Sequence, residues 1–192
     1  MPLSHSLRFV FICVPKTGST SLRTFLSRWL EPDRIRPDPV NRLTFDLHAS
    51  YAEHIDKYPI AKDYYSFAFV RNPYMRAVST YLYHFPEGTP DDMLKFFNEK
   101  THERPPFKMF YVPQHYLVEG VKDVRKYENY SDACEDILQE LGFEEGSSNN
   151  LPIENDTIPD SDKMEFLTEE LREIIRELYS EDFRRFGYQS RS

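Results

Sequence analysis

Residues 9–21 read Phe9-Val10-Phe11-Ile12-Cys13-Val14-Pro15-Lys16-Thr17-Gly18-Ser19-Thr20-Ser21. The first six are aromatic, β-branched or small and apolar, which predicts a buried strand. Pro15 to Ser21 then form a small, hydroxyl-rich turn. After it, Leu22, Phe25, Leu26, Trp29 and Leu30 recur at the spacing of a helix with one buried face. A strand that breaks into such a turn and opens a helix is an anion cradle. The first backbone N–H groups of the helix lack intrahelical partners, the helix dipole adds positive potential, and Lys16 brings a mobile full charge. A phosphate or sulfate group is the expected ligand. The turn is not a Walker A loop, G-x-x-x-x-G-K-[ST], because Lys16 precedes the turn's only glycine, Gly18.

The chain has 192 residues, a length that suits one domain spanning 1–192. An apolar fraction of 40%, with 13 Tyr and 15 Phe, supplies a core and argues against disorder. The formal net charge of −8 disfavours nucleic acid and acidic membrane as partners. Only two cysteines occur, Cys13 in the first strand and Cys134 on a helix face. Both read as small buried apolar groups, which points to a reducing, cytoplasmic setting. The N-terminal apolar run is too short and wrongly flanked for a signal peptide or membrane anchor, so the expectation is a soluble protein without a membrane span. Oligomeric state has no signature here.

Further along, Pro32, Pro37 and Pro39 mark a loop that leads to Leu47-His48. Tyr65-Ser66-Phe67-Ala68-Phe69-Val70 is a second strand, and Pro73 suits the first turn of the helix that follows. His84 to His115 reads as an insertion over the site, with a short helix capped by Thr89 and carrying Met93, Phe96 and Phe97. Val121 to Tyr127 is a weaker strand, Cys134, Ile137, Leu138 and Leu141 mark a helix ended by Gly142, and residues 144–163 read as polar loop. Leu167, Leu171, Ile174, Ile175 and Leu178 predict the last helix, after which Phe183 and Phe186 close the core. Alternating strands and helices predict an α/β fold with a central, mainly parallel sheet flanked by helices. In such folds ligands bind beyond the carboxyl ends of the strands.

The second strand ends in a second polar turn. Arg71 leaves the strand, and Ser79 follows about two helical turns along, so the pair can clasp one phosphate if the turn folds Arg71 back. A ligand with two separated anionic ends is implied. Here the sequence becomes specific. Pro15-Lys16-Thr17-Gly18-Ser19-Thr20-Ser21 resembles the 5′-phosphosulfate loop of sulfotransferases, and Phe69-Val70-Arg71-Asn72-Pro73-Tyr74-Met75-Arg76-Ala77-Val78-Ser79-Thr80-Tyr81 resembles their 3′-phosphate motif. The likeness continues through Gln114-His115-Tyr116-Leu117, Arg125-Lys126-Tyr127-Glu128-Asn129 and Asp182-Phe183-Arg184-Arg185-Phe186-Gly187-Tyr188. It is closest to the carbohydrate-type branch, sulfotransferase family 2, which includes relatives of heparan-sulfate 2-O-sulfotransferases.

That resemblance implies a P-loop NTPase-like three-layer fold and 3′-phosphoadenosine-5′-phosphosulfate (PAPS) as donor. It implies that Lys16 and the N–H groups of Thr17 to Ser21 hold the phosphosulfate end, that Arg71 and Ser79 hold the 3′-phosphate, and that Tyr127, with Glu128, lies near the adenine. Sulfuryl transfer requires an acceptor oxygen in line with sulfur, removal of its proton, and neutralisation of charge on the leaving phosphate. Lys16 suits the last task as a flexible point cation. His48 suits the base role, since imidazole titrates near neutrality and relatives carry a histidine at about this place; His54 is the reserve. The acceptor class implied is a hydroxyl on a glycan or small molecule. Where relatives often carry a basic residue after the asparagine of a late loop, this chain has Asn155-Asp156-Thr157-Ile158-Pro159-Asp160.

Read singly, these features have plainer meanings: a capped strand-to-helix turn, an ion-pairing arginine, a helix-surface serine, a loop histidine. His84, His102 and His115 lack metal-ligand spacing, so no metal is implied. Two other function classes remain open on residues alone, a divergent P-loop kinase and a nucleotide-binding module without catalysis. A kinase would need a magnesium-binding carboxylate at a strand end, and none stands out.

Overall fold

In the computed structural model, residues 2–30, 45–152 and 159–190 are described. The regular elements, in chain order, are β1 (Leu3–Ser4), β2 (Phe9–Ile12), α1 (Ser19–Leu26), α2 (Tyr51–Lys57), β3 (Tyr65–Val70), α3 (Pro73–His84) and α4 (Pro90–Asn98). There follow α5 (Lys108–Tyr111), α6 (Gln114–Val118), β4 (Asp123–Lys126), α7 (Tyr130–Glu140), α8 (Asp160–Met164), α9 (Glu169–Leu178) and α10 (Ser180–Phe186). The residues group into two compact units, one of Met1–Val70 with Leu117–Glu154, the other of Arg71–Tyr116 with Asn155–Ser192.

The first unit holds the sheet, in the order β1-β2-β3-β4. β1 pairs antiparallel with β2, whereas β2 with β3 and β3 with β4 are parallel. Phe11 lies opposite Phe67 and Ile12 opposite Ala68, so β2 and β3 bring their carboxyl ends to the same edge. Side chains alternate across a strand, and here Phe9, Phe11 and Cys13 with Phe67 and Phe69 share one face. That face packs on Leu22 and Leu26 of α1 and on Ala133, Cys134, Ile137 and Leu138 of α7. The Phe11 and Phe67 rings stack at 4.8 Å. Val10, Ile12, Ala68 and Val70 are buried too, as befits strands of a parallel pair. Cys13 and Cys134 are free and buried, and burial pushes both thiols up to about 12.

The second unit is built around α3, α4 and α9. Tyr74, Ala77, Val78, Tyr81 and Leu82 pack with Met93, Phe96, Phe97, Tyr111, Leu171, Ile175, Tyr179 and Phe183. Pro73 opens α3 behind Asn72, whose side chain accepts from the Tyr74 N–H at 3.0 Å. Thr89 and Asp92 form a reciprocal capping box at α4. Within α3, Arg76 is buried and spans to two carbonyls, those of Phe110 (3.2 Å) and Val112 (2.9 Å), under the Tyr179 ring.

Several expectations change. α1 ends at Leu26 rather than running through Leu30; Ser27–Trp29 tighten into a 3-10 turn that sets Trp29 edge-on to Phe143. In the stretch from His84 to His115, Phe96, Phe97 and Tyr111 are part of the second unit's core, and Phe85, Phe107 and Phe110 pack against it. Residues 144–163 are not all loop: Ser147–Asn150 form a 3-10 turn and α8 starts at Asp160. α2 was not foreseen. The proline loop at 32–39 and Asn155 to Ile158 lie outside the described residues. Among the described residues no helix is long and apolar enough to cross a membrane.

Candidate active site

The turn after β2 is locked from within. Val14 N–H reaches back to the Ile12 carbonyl (3.1 Å), and the buried Thr17 hydroxyl donates to the Val14 carbonyl (2.9 Å). Lys16 (φ 64°) and Gly18 (φ 73°) both take left-handed backbone conformations, which turn the chain sharply into α1. For Lys16 that conformation is costly, and such strain concentrates at ligand-holding loops. Gly18 is the N-cap of α1; no side chain caps it and no acidic residue occupies the first turn. The helix start thus keeps its positive end undiluted. Ser19 and Ser21 are buried in that first turn, while Lys16, Gly18 and Thr20 are partly exposed.

Two tyrosines brace this turn from across the sheet. Tyr130, at the start of α7, donates its hydroxyl to the Gly18 carbonyl. Tyr127 follows β4 and its ring lies against that of Tyr130, 5.4 Å between centroids. A Cβ on residue 18 would meet both rings, at 2.6 Å for Tyr130 and 3.1 Å for Tyr127. Glycine is therefore required here twice, for its φ and for its lack of a side chain. Burial pushes the Tyr130 hydroxyl far above its ordinary value, so it stays a donor.

His48 closes a 3-10 turn, Phe45–His48, and its Nδ1 lies 2.7 Å from the Cys13 carbonyl. A carbonyl only accepts, so Nδ1 carries the proton and Nε2 is the basic atom of the neutral ring. The imidazole is thereby fastened to the end of β2, beside the turn. His54 is placed differently. It is buried in α2 with Nδ1 2.7 Å from the Ser50 carbonyl, the N-cap of its own helix. Its role is local.

In the second unit, Arg71 is buried directly after β3, and Ser79 is buried midway along α3. Gln114 holds the Arg71 backbone at both ends, Oε1 accepting from the N–H and Nε2 donating to the carbonyl, each at 2.8 Å. This unit also contains a cavity of about 600 Å³, whose lining includes Tyr81, His84, Phe85, Lys95 and Phe96. Among the described residues no group of His, Cys, Asp and Glu is arranged to hold a metal ion.

Of the residues singled out by the sequence, Pro15 to Ser21, His48 and Tyr127 lie in the first unit around the end of β2. Arg71 and Ser79 lie in the second unit. Two contacts of these segments, Tyr130 with the Gly18 carbonyl and Gln114 with the Arg71 backbone, are not foreseen by the sequence. Tyr130 had no local signal, and Gln114 stood only within a stretch of family likeness. A family model described as "Sulfotransferase family" matches residues 3–189. No curated protein and no solved structure matches the chain.

Proposed function

The chain belongs to the sulfotransferase family, and from that premise we propose that it moves a sulfuryl group from PAPS to a hydroxyl of a carbohydrate or glycan-containing metabolite, with His48 as the base. As a sulfotransferase it performs sulfuryl transfer; the donor, acceptor and base are the finer reading. In this reading Lys16 and the N–H groups from Thr17 to Ser21 take the phosphosulfate, with Pro15 setting the turn, and Arg71 and Ser79 take the 3′-phosphate. Tyr127 borders the adenine. The 192 residues act as one domain of the P-loop-like α/β class.

His48 Nε2 accepts the acceptor's hydroxyl proton as the new O–S bond forms. The S–O bond to the 5′-phosphate breaks in line, and Lys16 offsets the charge left on 3′-phosphoadenosine 5′-phosphate. Positioning and electrostatics supply most of the rate, as in phosphoryl transfer.

The observation that carries this reading is the hydrogen bond from His48 Nδ1 to the Cys13 carbonyl. In this reading Nε2, the unprotonated nitrogen of that tautomer, is the base, and Cys13 stands shortly before Lys16 and the α1 start that no side chain caps.

The test compares thermal shifts with 3′-phosphoadenosine 5′-phosphate, AMP and ATP with magnesium. The bisphosphate should stabilise most, by about 2.7 kcal/mol at 100 times its Kd; a larger shift with ATP and magnesium would overturn the donor assignment. His48→Ala should keep bisphosphate binding and lose about 10²- to 10⁴-fold in transfer rate. Unchanged transfer would remove His48 from the mechanism.

A further inference from the structure

The primary amide of Gln114 is matched to a single residue. Its oxygen takes the Arg71 N–H and its nitrogen gives to the Arg71 carbonyl, both at 2.8 Å. Residue 71 has just left β3, so neither group has a sheet neighbour, and Gln114 pairs them as a further strand would. Gln114 is fully buried and Arg71 nearly so, which leaves water little access to substitute for either bond.

Gln114 is itself held. Its N–H donates to Asp182 Oδ2 at 2.8 Å, while Asp182 Oδ1 accepts from the His115 N–H at 2.9 Å and from His115 Nδ1 at 2.7 Å. Asp182, on α10, has no exposed surface. One buried carboxylate thus anchors the first turn of α6, and that turn presents the amide that fixes Arg71. The elements joined are distant in sequence: Asp182 lies 68 residues beyond Gln114, and Gln114 43 beyond Arg71.

We propose that Gln114 and Asp182 are positioning residues for Arg71, setting the backbone from which its guanidinium engages the 3′-phosphate of the donor. This rests on the donor reading given above. An arginine that recognises phosphate through a planar fork depends on where its own backbone starts, and a displacement of an ångström spoils both bonds of the fork. No other common side chain serves as well as glutamine here. Asparagine is one methylene shorter, glutamate would set an oxygen against the Arg71 carbonyl, and an apolar residue would leave two buried backbone groups unpaired.

The readout is the ratio of affinities for 3′-phosphoadenosine 5′-phosphate and AMP, which isolates the 3′-phosphate. Gln114→Ala and Asp182→Asn should lower this ratio by about 10- to 100-fold with AMP affinity nearly unchanged, and Gln114→Ala should lower it no further in an Arg71→Ala background. Gln114→Glu retains shape and one of the two bonds; it serves as the second variant and should give an intermediate ratio. If the Gln114 variants weaken both nucleotides in proportion, the pair is only a structural staple and the inference is overturned. If Arg71→Ala lowers the ratio and Gln114→Ala does not, positioning alone fails and the donor reading stands. If the wild-type protein shows no preference for the 3′-phosphate, both fall together.

Discussion

The Tyr130 hydroxyl donates to the Gly18 carbonyl at 2.8 Å, and its ring edge sits 2.6 Å from where a Cβ on residue 18 would be. One tyrosine therefore both secures the turn ahead of α1 and forbids any side chain at residue 18.

Gly18→Ala should accordingly be costly. The left-handed conformation alone disfavours alanine by about 1–2 kcal/mol, and the Tyr130 ring must move as well, for a total of about 2–4 kcal/mol. Urea denaturation checks the stability loss. Bisphosphate affinity should fall in parallel, because displacing Tyr130 frees the turn. Tyr130→Phe, which keeps the ring and removes the hydroxyl, should cost only about 1 kcal/mol.

Arg76 predicts a different outcome. Its guanidinium bridges the Phe110 and Val112 carbonyls within the second unit's core. Arg76→Met fills much of the volume but strands both acceptors, and should cost about 2–4 kcal/mol by denaturant midpoint. Arg76→Lys should recover little, since an ammonium lacks the planar fork that spans two carbonyls.

Glu135 gives a pH signature. Hydrogen bonds from Ser148, Gln139 and the Gly146 N–H lower its carboxyl from 4.5 to about 2. A depressed folded value means that the stabilisation is complete above the unfolded value and is lost as pH falls through the window from about 4.5 to about 2. Glu135→Gln should therefore lower the melting temperature at neutral pH, and the gap to the wild-type protein should close as the buffer is taken down through that window. A gap independent of pH would mean that the carboxylate charge plays no part.

Local signals made parts of the fold legible. The strand Tyr65–Val70 matches its expected limits, because Tyr65, Phe67, Phe69 and Val70 carry strand propensity and Arg71-Asn72-Pro73 stops the run. The Thr89 cap and Pro73 at the head of α3 followed from backbone chemistry alone. α2 escaped notice although Ser50 and Glu53 form a capping box, because its buried face holds only Tyr51 and His54 and shows no apolar period. The supports of the site were hidden for another reason. Tyr130 meets Gly18 across 112 residues and Gln114 meets Arg71 across 43, and no pattern in a single stretch encodes such a pair.

Among the described residues β4 pairs with β3 alone and forms one margin of the sheet. Three of its four residues, Asp123, Arg125 and Lys126, are charged, and Arg125 is tied to both Asp123 and Asp136. A strand from another molecule adding there would have to desolvate those charges and displace that ion-pair network. The hydrogen-bonding groups of this margin are thus guarded against runaway sheet growth, so the described sheet can end at β4 without becoming a template for aggregation.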